Sequence, residues 1–240
     1  MALKKIGLKL YVYTGTEGSY TSSDLKYQME KDRISNQDNI IVEIAQLVKD
    51  FLDNNFNDDY VCATKWATAV VDFYDSETNE IFVTNGTQIF NYLAFDGYGH
   101  FEEEVNPQLS TDLLQTSLNM YLPEGIAGKL PIFAEGVGKV IIDSTTTEIT
   151  DSLDSNQKIQ YISIPANTST VEVYATDDTT LLKTVTVNNV CEAKFTPYKL
   201  TFVNKLGAYQ DIYFFKKTTE RFNVTDETYK RNNINTSTVT

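Results

Sequence analysis

The chain of 240 residues has little of the side-chain chemistry on which most catalytic sites depend. It contains one histidine, His100, and two cysteines, Cys62 and Cys191, which lie far apart and lack the spacing of a metal or redox motif. With no second histidine and no serine nucleophile motif, the usual catalytic triad is not indicated. We therefore expect no enzyme activity, no metal and no cofactor. We expect both thiols to be buried, because cysteine behaves as a small apolar residue.

Long hydrophobic runs and basic residues are also scarce. No stretch approaches the ~18 apolar residues of a membrane helix, and the first residues lack the features of a signal peptide, so a cytosolic product without a membrane span is expected. The net charge of -13 argues against nucleic-acid binding over most of the surface. The charge is uneven, however, since residues 194–240 carry eight basic and four acidic side chains. Surfaces of opposite sign can draw copies of one chain together.

Hydrophobic periodicity predicts a mainly β protein with one helix. Residues Ile6–Tyr13 alternate between apolar and polar, which is typical of a strand with one buried face. Further strands are predicted within 61–75 and 80–99. Between the strand at Ile6–Tyr13 and residue 61, one set of apolar residues recurs at helical spacing and predicts a helix near residues 43–53: Ile44, Leu47, Val48, Phe51 and Leu52. The preceding Ile40–Val42 is predicted to be a short strand.

The second half of the chain predicts a sandwich of short strands. Residues 121–139, with two prolines and four glycines, are predicted to be a loop region. From Lys139 onwards, strand-like segments recur every 10 to 15 residues between polar turns, as in immunoglobulin-like or fibronectin-like folds. We therefore predict two β-sandwich-like domains, a β-rich one over 1–138 and a second over 139–231. Residues 232–240 are predicted to form an extended C-terminal arm.

Three polar stretches contain residue types that are found at metal, phosphate or catalytic sites. His100 is followed by Glu102–Glu104, but one histidine beside consecutive carboxylates lacks the paired ligands of a zinc site. The glycines before Lys139 do not match a phosphate-binding loop. The acidic clusters at Asn57–Asp59 and Thr150–Asn156 lack calcium-loop spacing. A solvated loop or a turn is the favoured interpretation of each.

Four segments stand out together: LKLYVYTG, the Gln37–Asp38 pair leading into IIVEIAQLVKDFL, a strand bearing Trp and Tyr, and YKLTFVNKLGAYQDIYFFKKTTERFNVTDETYKRN. With these segments the chain resembles structural tail proteins of tailed bacteriophages, nearest to the crAss-like phages that infect gut Bacteroidales. The resemblance implies a non-enzymatic virion component that is made in the bacterial host cytoplasm. It also implies assembly into a symmetric ring or hub of the tail, with further copies and other tail proteins as partners.

The C-terminal hairpin is the predicted site of subunit contact. Four residues at alternating positions are expected to point into the core: Leu200, Phe202, Ile212 and Phe214. Aromatic and basic residues, which interfaces favour, are predicted to meet a neighbouring subunit: Tyr209, Tyr213, Phe215, Lys216, Lys217, Arg221, Tyr229, Asn235, Thr236 and Val239. The alternative function is a carbohydrate-binding adhesin module on a β-sandwich scaffold, in which some of the 15 tyrosines stack on sugars.

Overall fold

The computed structural model describes residues 3–34, 39–52, 56, 59–61, 64–97, 113–151, 154–191 and 194–216. The mainly β class with one short helix is confirmed. The described strands are β1 (Leu3–Tyr13), β2 (Leu25–Asp32), β3 (Lys65–Asp75), β4 (Thr87–Ala94), β5 (Asn119–Pro123), β6 (Gly128–Phe133), β7 (Val137–Ile142), β8 (Thr145–Glu148), β9 (Ile159–Ile164), β10 (Thr170–Ala175), β11 (Leu181–Val190), β12 (Tyr198–Val203) and β13 (Tyr209–Phe214). The helix is α1 (Ala45–Lys49), and 3-10 turns cover Ser22–Asp24 and Ala134–Gly136.

The first half of the chain forms a four-stranded antiparallel sheet in the order β2-β1-β3-β4. The alternation seen in the sequence sets its register, because Leu8 and Leu10 pair with Val71 and Ala69 on one face. Leu10 is fully buried. The predicted strand at Ile6–Tyr13 is therefore confirmed, and it is lengthened to begin at Leu3.

Helix α1 covers that face of the sheet and is shorter than the predicted 43–53. Val48 is buried among the sheet residues, and Ile44, Leu47 and Phe51 pack partly against them. The helix ends early because the backbone N–H groups of Phe51 and Leu52 bond three residues back, which tightens the chain into a turn. The predicted strand at Ile40–Val42 is wrong, since this segment has no regular structure and lines an apolar cleft.

The second half is built around a five-stranded sheet in the order β5-β11-β10-β7-β8, packed against the pair β6-β9. Strand β5 runs parallel to β11, and the other pairs are antiparallel. Side chains from both layers meet in one buried cluster: Leu113, Met120, Leu122, Leu130, Ile132, Val137, Val140, Ile142, Ile162, Ile164, Val171, Val173, Val185 and Val187. Two packed β layers around one apolar core are the sandwich arrangement.

The predicted loop at 121–139 is wrong, because this stretch contains the end of β5, all of β6 and the start of β7. Two of its glycines serve close packing. A Cβ on Gly128 would lie 2.9 Å from Leu122 Cδ1, and one on Gly138 would lie 2.6 Å from the Ala175 carbonyl oxygen. Strands β5 and β6 precede residue 138 and pair with β11 and β9, which follow it. Strand pairs thus cross the expected division at 138, and the two separate domains stay a prediction.

A polar joint holds the first sheet to the sandwich. The buried Asn156 side chain accepts a hydrogen bond from Gly15 N at 2.9 Å and donates to the Thr64 carbonyl oxygen at 2.5 Å. Trp66 is buried, and its Nε1 donates to the carbonyl oxygens of both Gly15 and Asp154 at 3.2 Å. Because these groups come from both halves of the sequence, the joint fixes the first sheet relative to the sandwich.

Candidate functional site

The C-terminal hairpin is the best-defined surface element on which the sequence predicts a function. Strands β12 and β13 pair antiparallel in a two-stranded sheet of their own. Tyr198 stands opposite Phe214, and Leu200 stands opposite Ile212. Directly opposed residues of an antiparallel pair share a face, so these four side chains lie together on one side of the ribbon.

The turn of the hairpin is anchored inside the protein. Asn204, which is fully buried, donates through Nδ2 to the Leu114 carbonyl oxygen at 2.6 Å and to Gln210 Oε1 at 3.0 Å. Its Oδ1 accepts from the backbone N–H groups of Leu206 and Ala208 at 2.9 and 3.3 Å. One side chain thus satisfies the polar groups of a buried turn, which would otherwise carry a desolvation cost.

Two apolar turn residues and one glycine complete the anchor. Leu206 and Ala208 are buried in a cluster with Phe133, Ile159 and other apolar side chains. Gly207 has φ +81, and a Cβ there would lie 3.0 Å from Gly97 N. The glycine is required both for the positive φ and for this close approach. The hairpin tip is therefore held against residues 95–97, which follow the end of β4.

The hairpin face that carries Tyr209 and Tyr213 is predicted to lie at the surface, but it points towards the body of the protein. Tyr209 is only 4% exposed, in contrast to the surface position expected for it. Its ring lies 5.0 Å from that of Phe56 and 6.3 Å from that of Tyr161, and its backbone N–H donates to Tyr161 Oη at 2.8 Å. Tyr213 is half-buried and packs against the sandwich core. Burial, followed by the charge of Asp211, raises the pKa of Tyr213.

A polar network lies on the same inward face. The Asp211 carboxylate accepts from Thr201 Oγ1 at 2.6 Å and from Tyr60 Oη at 2.5 Å. Lys199 Nζ lies 3.3 Å from Tyr60 Oη and also sits over the Tyr60 ring. The network ties both strands of the hairpin to a residue almost 140 positions earlier in sequence. The sequence gives no sign of it, because Tyr60 and Asp211 belong to no local motif.

The outward face of the hairpin is apolar, and the prediction that it fills the core is wrong. Leu200 is 43%, Ile212 37% and Phe214 46% exposed, and Phe202 is half-buried. Tyr198, for which the sequence predicts no role, is 54% exposed beside them. We call Tyr198, Leu200, Ile212 and Phe214 the outer face. It is continuous across both strands and carries no charge.

The remaining predicted interface residues lie near the end of the hairpin or beyond the described part of the chain. Phe215 is half-buried with its ring 6.3 Å from that of Tyr213, and Lys216 is exposed. The other predicted residues lie outside the described residues: Lys217, Arg221, Tyr229, Asn235, Thr236 and Val239. A role in subunit contact stays a prediction for all of these residues.

The cysteines and the histidine lie partly within and partly outside the described residues. Cys191 is exposed, in contrast to the burial expected, because it follows the end of β11 at the surface. Cys62 and His100 lie outside the described residues. Across the ranges that the structure describes, no cluster of three or more His, Cys, Asp or Glu side chains is placed to hold a metal ion. In those same ranges, no helix has the length and apolar character needed to cross a membrane.

A cleft of 680 Å³ opens beside β9 and the short segment at residues 59–61. Its lining combines aromatic rings with polar and charged side chains: Asp59, Tyr60, Val61, Lys129, Gln157, Ile159, Gln160 and Tyr161. The rings of Tyr60 and Tyr161 lie 5.3 Å apart at an angle of 55°. Both hydroxyls take part in the hydrogen bonds described above, so the rings are held in place.

Comparisons with known proteins add little. No protein family and no curated protein sequence matches the chain. Among solved structures, it is similar to a Bacteroides ovatus protein of a mixed-linkage glucan utilization locus, SGBP-B, in complex with a mixed-linkage heptasaccharide. The identity is 12% over 83% of this chain and 46% of that one, with a TM-score of 0.23. The chain thus spans less than half the length of that protein, and at this score the likeness carries no argument.

Proposed function

We propose that the protein is a non-catalytic structural subunit of a phage virion tail, of the crAss-like group, that joins copies of itself and other tail proteins in a ring or hub. The observation that carries the proposal is the outer face of the hairpin. Four large apolar side chains lie together there on a rigidly anchored ribbon. The subunit is made in the bacterial host cytoplasm and functions in the virion.

The outer face has the character of an association surface. Contiguous exposed apolar patches mark interaction sites, whereas single exposed apolar residues do not. Tyr and Phe are also among the residues that interfaces favour. Since the anchored turn fixes the ribbon, little conformational entropy is lost when the face is covered.

Charge gives a direction to the association. The segment that contains the hairpin, residues 194–240, is net basic, whereas the rest of the chain is strongly acidic. A basic region of one copy is attracted to the acidic body of the next, which favours a head-to-tail contact. Repeated head-to-tail contacts close into rings when the rotation between copies permits.

The experiment is a comparison of molar mass by light scattering at low and moderate salt. The double variant Leu200→Ser/Ile212→Ser removes the centre of the outer face. The matched control Tyr121→Ser/Leu181→Ser removes two side chains of similar exposure from other strands. We expect the first variant to shift to monomer, and the control to remain a salt-sensitive oligomer like the wild type.

The proposal is wrong if the wild type is monomeric under all conditions, or if both double variants behave alike. Its placement in the tail is tested separately on purified virions. The chain should be found there by mass spectrometry in a copy number that matches a ring. Its absence from particles that carry complete tails would contradict the assignment.

A second candidate function is glycan binding, which the cleft beside Tyr60 and Tyr161 favours. Fixed aromatic rings beside amide and charged side chains are the combination that sugars require, since their apolar faces stack and their hydroxyls form hydrogen bonds. A glycan array tests it. A saturable hit that Tyr161→Ala abolishes would support this function, and an array without hits would leave assembly as the function.

A further inference from the structure

Strand β4 is an edge strand with several exposed apolar side chains and no charge. It stands last in the order β2-β1-β3-β4, is eight residues long, and has six exposed residues. Its sequence, TQIFNYLA, contains no charge and no proline. Ile89, Phe90 and Tyr92 are 57%, 40% and 48% exposed. A long, regular, apolar edge offers its backbone groups and side chains to a further strand.

The other outer strands of the two larger sheets carry the usual features that block such pairing. Strand β2 contains four charged residues, β8 is only four residues long and ends in a glutamate, and β5 ends in a proline. The ladder between β3 and β4 also runs without a bulge. Within the ranges that the structure describes, the outer edge of β4 is therefore unpaired and lacks the protection that the other outer strands carry.

An apolar cleft lies beside this edge. It has a volume of 610 Å³ and is bounded by the sheet on one side and by residues 39–42 and 44 on the other. Phe90 and Tyr92 line it from β4, and Ile41, which is 77% exposed, lines it from the opposite side. A strand added along β4 would point alternate side chains towards the cleft.

We propose that β4 receives, as an added strand, part of the C-terminal segment 217–240 of a second copy of this chain, with Phe222 and Val224 directed into the cleft. The inference rests on the proposed self-association and specifies one of its contacts. Phe222 and Val224 are two residues apart, so an extended segment places both on the same face. Phe, Val and Thr in this stretch also favour an extended conformation.

Length and charge favour this occupant over a second β4. The segment contains 24 residues after the hairpin, and at ~3.3 Å per residue it can reach roughly 80 Å, enough to meet a neighbouring subunit. It begins in the net basic part of the chain and carries four basic residues against three acidic ones, a net charge of +1: Lys217, Arg221, Lys230 and Arg231 against Glu220, Asp226 and Glu227. Pairing two β4 strands would instead bring two acidic bodies together, which like charges oppose.

The experiment measures binding of a fluorescently labelled peptide of residues 217–240 to the full-length protein by anisotropy. We expect saturable binding to the wild type. The protein variant Phe90→Ser/Tyr92→Ser should weaken it about ten-fold or more, because it removes the cross-strand apolar partners. A peptide with Phe222→Ser/Val224→Ser should lose binding equally. The matched peptide Asn223→Ser/Thr225→Ser, altered on the opposite face, should bind like the wild type.

Three outcomes would overturn the inference. The first is no binding of the wild-type peptide to either the wild-type protein or the full-length Phe222→Ser/Val224→Ser protein, whose own altered segment should not occupy β4. The second is equal binding of both altered peptides. The third is binding of the wild-type peptide to the full-length Phe222→Ser/Val224→Ser protein but not to the wild-type protein, when both proteins are monomeric. In that case the wild-type segment occupies β4 of its own chain. Unfolding of the Phe90→Ser/Tyr92→Ser protein, checked by circular dichroism, leaves the peptide variants to decide.

Failure of this inference is distinguishable from failure of the proposed function. Leu200→Ser/Ile212→Ser alters the outer face but leaves β4 intact, so it should lower the molar mass and still bind the peptide. If the mass falls in that variant and the peptide binds neither the variant nor the wild type, the β4 contact is wrong and self-association through the hairpin stands.

Discussion

The side-chain amide of Asn204 donates a hydrogen bond to the backbone carbonyl oxygen of Leu114 at 2.6 Å, although 90 positions separate the two residues. The same side chain also bonds to Leu206, Ala208 and Gln210. A single residue therefore organises the hairpin turn and attaches it to the segment that precedes β5. The orientation of the outer face depends on this attachment.

Replacing Asn204 should destabilise the fold more than replacing an asparagine with one bond. Asn204→Ala leaves buried backbone and side-chain groups without partners, and we expect a loss of about 2–3 kcal/mol in the free energy of unfolding. Urea titration followed by Trp66 fluorescence measures it. The control Asn188→Ala, whose Nδ2 makes a single 3.2 Å bond to the Met120 carbonyl oxygen, should lose about 1 kcal/mol or less. Equal losses would contradict the role assigned to Asn204.

Gly207→Ala should cost more stability than Gly125→Ala. Both glycines have similar positive φ values, +81 and +78, so both substitutions carry a backbone penalty of about 1–2 kcal/mol. Only at Gly207 does the new Cβ also meet other atoms, since nothing lies within 4 Å at Gly125. The difference between the two midpoints of urea unfolding isolates the close contact. A larger loss for Gly125→Ala would exclude the packing argument.

Two tyrosines that contact each other should respond in opposite ways to loss of the hydroxyl. Tyr209 Oη is buried and has no hydrogen-bond partner among the described residues, so Tyr209→Phe should leave stability unchanged or raise it by up to about 1 kcal/mol. Tyr161 Oη accepts from Tyr209 N at 2.8 Å, and Tyr161→Phe should lower stability by about 1 kcal/mol. Thermal unfolding of both variants at the same protein concentration decides. A destabilised Tyr209→Phe would show that its hydroxyl has a partner.

Acid stability should depend on the turn at Asp177. Hydrogen bonds from Thr180 Oγ1, then from the backbone N–H groups of Thr180 and Thr179, lower the pKa of Asp177 to about 2 from 3.8. Because the pKa is lowered in the folded state, its stabilising contribution is present above about pH 4 and is lost as pH falls through 2. The difference in stability between wild type and Asp177→Ala should therefore close between these values.

The matched variant for this pH effect is Thr180→Val. It removes the hydroxyl that lies 2.5 Å from Asp177 Oδ2 but keeps the carboxylate and the backbone donors. Its stability should depend on pH over a narrower range than that of the wild type, measured by urea unfolding from pH 5 to pH 2. A constant difference between wild type and Asp177→Ala across that range would contradict the lowered pKa.

Alternation predicted the strands of this protein better than it predicted their faces. The strand at Ile6–Tyr13 is predicted by the alternation of apolar and polar residues. The strands after Lys139 are predicted by their regular spacing between polar turns. In the hairpin, both faces are apolar or aromatic, since Leu200 and Ile212 lie on one face and Tyr209 and Tyr213 on the other. The local sequence therefore does not determine which face packs against the rest of the protein. Long-range contacts of the buried Asn204 and of the network at Tyr60 determine it.

The loop prediction over residues 121–139, which rested on glycine and proline, is wrong for a different reason. These residues usually mark turns, but Pro123 closes a strand at the sheet end, and Gly128 and Gly138 leave room for Leu122 and for the Ala175 backbone. The need for close packing depends on neighbours distant in sequence. Only the assembled fold reveals it, and the open edge of β4 is hidden from the sequence in the same way.

The strand order also sets the sequence of events as the chain leaves the ribosome. The first sheet uses residues 3–94 alone, so all its ladders can close before the rest of the chain is synthesised. Strand β5, in contrast, must wait for β11, some sixty residues later. The nascent protein therefore presents a finished β4 edge while the hairpin and the segment beyond it are still to come. In a cell making many copies at once, that interval is when premature pairing between chains must be avoided.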